Sequence, residues 1–147
     1  MRYGTILTAM LVLSIPPVVR ADTLIDLDVQ QSRSIGVNEL SISIRNKGNM
    51  PLCLDRYVLS PRNISVRRNR KVIRLAKAFD WEGRPPPGCI VLKSGDSEST
   101  KYQLNELFPN RTTKGAVLCF SLVWWVADGR ETSRDQSTNK RECIILR

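Results

Sequence analysis

From Leu40 to Arg45 the chain reads Leu-Ser-Ile-Ser-Ile-Arg, apolar and polar side chains alternating without a break. Only an extended strand has this period of two; a helix would scatter Leu40, Ile42 and Ile44 around its axis. The pattern predicts a strand with one buried and one wet face. Asn46-Lys47-Gly48-Asn49 then supplies turn residues, and Pro51-Leu52-Cys53-Leu54 opens the next strand. Upstream, Leu24 to Val29 sets Ile25, Leu27 and Val29 against Asp26 and Asp28, which predicts a first strand at a sheet edge.

The same signals recur downstream. Ile64 to Val66 and Val72 to Leu75 read as the arms of a hairpin, with Asn69 near the tip because asparagine tolerates the left-handed conformation. Cys89 to Leu92 is a short apolar strand, Lys93 to Asp96 a turn and Ser99 to Leu104 another strand, with a single helical turn expected around Leu104 to Phe108. The longest apolar run, Gly115 to Val126, contains Trp124 and Trp125 side by side. Successive strand residues point to opposite faces, so one tryptophan is expected in the core and the other at the surface or under a loop. Asp128 to Lys140 reads as a polar loop, and Cys143 to Leu146 as the last strand. Short strands separated by regular turns predict an all-β fold, a two-layer antiparallel immunoglobulin-like sandwich of about seven strands.

Residues 1–21 have the form of a signal peptide: Arg2 at the start, an apolar stretch from Ile6 to Ile15, and Ala21 at the expected cleavage point. The apolar stretch is too short to span a bilayer and is broken by Pro16-Pro17, so no transmembrane segment is expected. Residues 22–147 are expected to form a single domain with one core in a periplasmic or secreted protein. The four cysteines, Cys53, Cys89, Cys119 and Cys143, all lie in that part. An even count in an exported chain predicts two disulfides, with three possible pairings left open. Their wide spacing does not suit a zinc knuckle, and no metal or cofactor is expected.

The 147 residues include no histidine. That excludes Ser-His-Asp and Cys-His catalysis, histidine-based metal sites and an imidazole pH switch. Gly95-Asp96-Ser97 carries a trace of a hydrolase serine motif, but without a histidine partner it reads as a turn. The chain is not expected to be an enzyme. Asn63-Ile64-Ser65 and Asn110-Arg111-Thr112 fit the glycosylation pattern, a common match that matters only in a eukaryotic secretory pathway.

The stretch from Leu40 to Val126 resembles the small immunoglobulin-like pro-domain of deuterolysin-type secreted metallopeptidases. The resemblance is carried by Ile44-Arg45-Asn46-Lys47-Gly48, a strand ending in an Asn/Gly turn, by Ile90-Val91-Leu92-Lys93-Ser94-Gly95-Asp96-Ser97, a strand ending in a Gly-acid-Ser turn, and by the late strand opening at Gly115. It implies the sandwich fold and a role in covering and restraining an enzyme. The chain carries no His-Glu-x-x-His helix, so that role is expected to be exercised on a separate protein. The four cysteines are an addition to the pattern.

Charge marks the candidate site. Seven basic residues and no acid lie between Ser60 and Phe79: Arg62, Arg67, Arg68, Arg70, Lys71, Arg74 and Lys77. Two of the 23 Lys/Arg fall in residues 1–21, leaving 21 against 14 Asp/Glu, so this segment accounts for the whole remaining excess. Charge gathered on one element steers and holds an acidic partner. The structural alternative is a solvated hairpin edge whose charge discourages strand-to-strand aggregation. Arg84-Pro85-Pro86-Pro87-Gly88-Cys89 is a stiff, polyproline-like segment that reads either as a docking loop or as a rigid connector. Beside it, Trp81 is a candidate aromatic anchor or a core residue. The expected partner-binding set is therefore Arg67, Arg68, Arg70, Lys71, Arg74, Trp81, Arg84 and Pro86. The expected partner is an acidic secreted or envelope protein, as for a hydrolase inhibitor or a toxin-immunity protein. The alternatives are a binder of anionic polymers or cell-surface ligands and a structural envelope component. Nucleic acid is disfavoured, because the basic segment has no interleaved aromatics for base stacking.

Overall fold

The computed structural model describes residues 24–76, 88–109, 113–127 and 137–147. Among the described residues nine strands carry the fold: β1 Ile25–Ser34, β2 Val37–Asn46, β3 Leu52–Asp55, β4 Ile64–Arg68, β5 Lys71–Ile73, β6 Cys89–Leu92, β7 Ser97–Gln103, β8 Val117–Val126 and β9 Thr138–Ile145. One helical turn, α1 Leu104–Leu107, follows β7 where it was expected.

β1, β2 and β7 form an antiparallel three-stranded sheet with β2 in the middle. The alternation read from the sequence is its construction principle. Ile25, Leu27 and Val29 of β1 and Leu40, Ile42 and Ile44 of β2 are buried, while the residues between them face out. β1 is an edge strand, as its pattern predicts, but it runs to Ser34 because its hydrogen-bonding continues through a hairpin closed by Gly36, whose φ is +77°.

The second sheet contains the other six strands in four rows. β8 pairs with β9 along one edge, Val117 to Trp124. Its other edge carries both β4, opposite Val117 to Phe120, and β3, opposite Trp124 to Val126. β3 and β4 therefore lie end to end and run in the same direction, as one strand interrupted by a loop. β6 pairs with the far side of β3 and β5 with the far side of β4. Three rows in one sheet and four in the other make the two-layer immunoglobulin-like sandwich. Its interior is a single core in which β1 and β2 face Leu118, Phe120, Leu122 and Trp124 of β8.

The loop between β3 and β4 closes one side of this core. Val58 is buried in it, and the Tyr102 hydroxyl on β7 of the facing sheet donates to the carbonyl of Leu59. The opposite side is closed by hydrogen bonds from β1 to the last strand and to Arg147 beyond it. Lys140 Nζ donates to the Ile25 carbonyl at 2.5 Å, and Gln31 Oε1 accepts from the Arg147 amide at 2.8 Å.

Asn46 is the one buried polar residue among the described residues. Its Nδ2 donates to the carbonyls of Met50 at 2.8 Å and Leu92 at 2.9 Å, and its Oδ1 accepts from the Gly48 amide at 2.8 Å. Its main chain bonds to Gly95 and Asp96. The Asn/Gly turn and the Gly-acid-Ser turn are thus one hydrogen-bonded unit, although some fifty residues separate them. Gly95 takes φ +83°, so the segment is a turn, as the missing histidine implied. Gly48 also matters here, because a Cβ on it would meet Leu24 Cδ2 at 3.0 Å.

Two expectations need correction. The last strand begins at Thr138, not Cys143, so Thr138 to Lys140 belong to a strand and not to the loop. Pairing with Leu122 to Trp124 overrides the polar composition, and an edge strand tolerates Lys140, Arg141 and Glu142 because one side of it meets water. The hairpin's second arm is shorter than its apolar pattern, Lys71 to Ile73, although Leu75 still packs against the core. The expected signal peptide, residues 1–21, lies outside the described residues. Among the described residues, no helix is long and apolar enough to cross a membrane.

Candidate functional site

The basic hairpin is β4, the two-residue turn Asn69-Arg70, and β5, closed by the pair Arg68 and Lys71. Asn69 has φ +50°, as its residue type allows, and Arg70 has φ +66°. Positive φ at both positions is the type I′ hairpin turn, whose twist matches that of its strands and which favours Asn-Gly. Arginine in the glycine position holds about 1–2 kcal/mol of backbone strain.

Register decides what the hairpin presents. Ile64 and Val66 point into the core opposite Phe120 and Leu118, so Ser65 and Arg67 point out. Arg67, Arg68, Arg70, Lys71 and Arg74 are all exposed. Among the described residues Arg67, Arg70, Lys71 and Arg74 have no acidic partner, whereas two acids of the smaller sheet are already engaged. Lys47 lies 2.9 Å from Asp26, and its hydrogen bond holds that exposed carboxyl below its ordinary value. Lys101 lies 2.9 Å from Glu39. Lys77, Trp81, Arg84 and Pro86 fall outside the described residues.

The fold adds cations that no local motif announces. β4 ends where β8 begins and β9 ends, since Val117 pairs with both Arg67 and Ile145. Lys114, in the turn before β8, and Arg147, just past β9, therefore sit at the hairpin's end of the sandwich. Gln31, bonded to Arg147, brings the outer part of β1 and Arg33 to that end too. A cleft of about 850 Å³ opens there, lined by Val29, Gln31, Arg33, Ile144 and Arg147 among others, with no acid in its wall. These residues are far apart in sequence, and only strand register gathers them.

Both disulfides lie within the larger sheet: Cys53 on β3 to Cys89 on β6, and Cys119 on β8 to Cys143 directly opposite on β9. Both are on its outward face, because Leu52, Leu54, Leu118 and Phe120 take the inward positions. In antibody domains a bridge joins the two sheets through the core; here the bridges tie rows of one sheet to each other. Trp124 is buried, its indole N–H without a hydrogen-bond partner, while Trp125 is half-buried on the outward face, dividing as the alternation requires. The sequon asparagine Asn63 is already committed: its Nδ2 donates to the carbonyls of Tyr57 at 2.8 Å and Val58 at 2.9 Å, so a glycan there would break both bonds. Asn110 lies outside the described residues.

Fold and site together define a disulfide-stapled β-sandwich with a strongly basic hairpin at one end. No protein-family model matches this chain, and no curated protein matches it either.

Proposed function

We propose that this chain is a non-enzymatic exported binding module that inhibits, neutralises or escorts an acidic secreted or envelope protein, in the manner of a hydrolase inhibitor or a toxin-immunity protein. The observation that carries the reading is the hairpin tip. Four cations fall within Arg67 to Lys71, and Arg70 occupies a left-handed position that glycine would fill without strain. Left-handed non-glycine residues cluster at ligand clamps and active sites, which supports a contact role for Arg70. Two disulfides suit an oxidising compartment, and the sequence supplies no histidine for acid–base chemistry. The resemblance to a pro-domain that restrains an enzyme points the same way.

Clustered cations accelerate encounter with a complementary surface, and the short-range fit then sets residence time. The test is a pull-down with oxidised protein from envelope and culture-supernatant extracts, washed at about 0.15 M and then about 0.5 M salt, where exposed charges are heavily screened. One acidic protein retained in near-stoichiometric amount is the expected result. Retention of anionic polymers alone, lost at the higher salt, would replace this reading with polyanion binding.

A further inference from the structure

Eight large apolar side chains are exposed among the described residues, and five of them, Val72, Val91, Val117, Val123 and Ile145, lie on one surface. That surface is the outward face of the larger sheet. β8 turns Val117, Ser121, Val123 and Trp125 outward between its buried residues. Cross-strand register then sets Ile145, Val117, Arg67 and Val72 side by side in one row across all four strands. Farther along, Trp125 stands opposite Cys53, and Cys53 opposite Val91. Ile145 is 68% exposed and Val72 60%, values that leave most of each side chain in water.

The outward face of the larger sheet, four rows wide and as long as the ten-residue β8, measures about 33 Å by about 19 Å at most, on the order of 600 Å². The apolar side chains occupy part of that area, interleaved with Arg67, Ser121 and Arg141, and the largest apolar patch on a soluble protein is often a contact site. The disulfides add to the face instead of covering it: Cys143 is exposed and bridges to Cys119 in the row beside Val117 and Ile145. They also hold the rows together, so the face meets a partner already ordered.

We infer that the outward face of β5, β4, β8 and β9, centred on Val117, Ile145 and Val72, docks an acidic protein surface with an apolar centre. This rests on the proposed binding function and names the surface that gives the complex its lifetime. Charge complementarity selects the occupant. The outward charged residues on these four strands are Arg67 and Arg141, with Arg74 just beyond β5, and none is an acid. A second copy of this chain would set arginine against arginine, whereas an acidic partner pairs Arg67 within the apolar row and Arg74 and Arg141 beside it. The face alone falls short of the roughly 800 Å² per partner of a standard interface, and the adjoining hairpin tip supplies further area of the same charge.

The test places a benzophenone amino acid at Val123 on this face, at Arg70 on the hairpin tip, or at Ser99 on the outward side of the smaller sheet, each in the oxidised chain. Irradiation in extracts of the source cells is expected to join the Val123 probe, and not the Ser99 probe, to one acidic protein, with excess unlabelled chain abolishing the product. With that protein purified, Val117→Ser combined with Ile145→Ser should raise the dissociation rate at least about tenfold and leave association within about twofold. Arg67→Ser, Arg68→Ser and Arg70→Ser together should instead slow association and flatten its salt dependence. Cross-linking at Arg70 alone would overturn the docking face and leave the charge-steered function standing. A product containing two copies of this chain, or equal products from Val123 and Ser99, would also overturn the face. No product at any position would overturn both.

Discussion

Asn46 Nδ2 donates to the carbonyl oxygen of Leu92 at 2.9 Å, joining the middle strand of one sheet to the outer row of the other inside the core. Because the same side chain also serves Met50 and Gly48, replacing it strands three main-chain groups at once. Asn46→Ala should cost about 3 kcal/mol, since each buried group left unpaired costs about 1–3 kcal/mol and some regain water as the turn loosens. A urea melt followed by tryptophan fluorescence measures it. An unchanged midpoint would mean that the two turns are held together by packing alone.

Arg70→Gly should stabilise the protein by about 0.5–1 kcal/mol. Glycine relieves the left-handed strain, and its greater freedom in the unfolded chain offsets part of the gain. The same variant should slow association with an acidic partner, and the combination is diagnostic: stability rising as association slows. A loss of stability would mean that the Arg70 side chain contributes contacts that outweigh the strain.

The two bridges should appear as Cys53–Cys89 and Cys119–Cys143 in peptide mapping of unreduced protein, and any other pairing would contradict the strand register. Their sequence separations, 36 and 24, differ too little for loop entropy to distinguish them. Cys53→Ala/Cys89→Ala and Cys119→Ala/Cys143→Ala should each lose about 3–4 kcal/mol. Thermal or urea melts of the two double variants provide the comparison.

Tyr102 links β7 to the Leu59 carbonyl, and burial raises its phenol above the ordinary value of 10.0, outweighing the opposing effect of its bond with Thr100. The folded state therefore holds the phenolic proton more tightly than the unfolded chain does. Its contribution is fully present below about pH 10 and is lost as pH rises from there through the folded-state value. Urea midpoints from pH 8 to pH 11 should fall at the alkaline end for the native protein. Tyr102→Phe should start less stable and lose that part of the slope; an identical alkaline slope in both would remove Tyr102 as its source.

What the sequence determined by itself is local. The alternation of Leu40 to Ile44 and of Ile25 to Val29 specified both strands and their buried sides, because the side-chain period of an extended chain is fixed by backbone geometry. The division of Trp124 from Trp125 was legible for the same reason, and the Asn69 turn because asparagine tolerates a positive φ. The exposed cations of the hairpin were legible because they lie within eight residues of sequence, Arg67 to Arg74. Tertiary structure decided everything that depends on which strand lies beside which. It set β3 and β4 end to end against one edge of β8, chose one disulfide pairing of three, and carried the last strand back to Thr138 through its hydrogen bonds to β8. It also brought Val72, Arg67, Val117 and Ile145 into a single row, although they span residues 67 to 145. Periodicity gives each strand two faces, but only register, set by closure of the common core, determines which outward faces join into one surface.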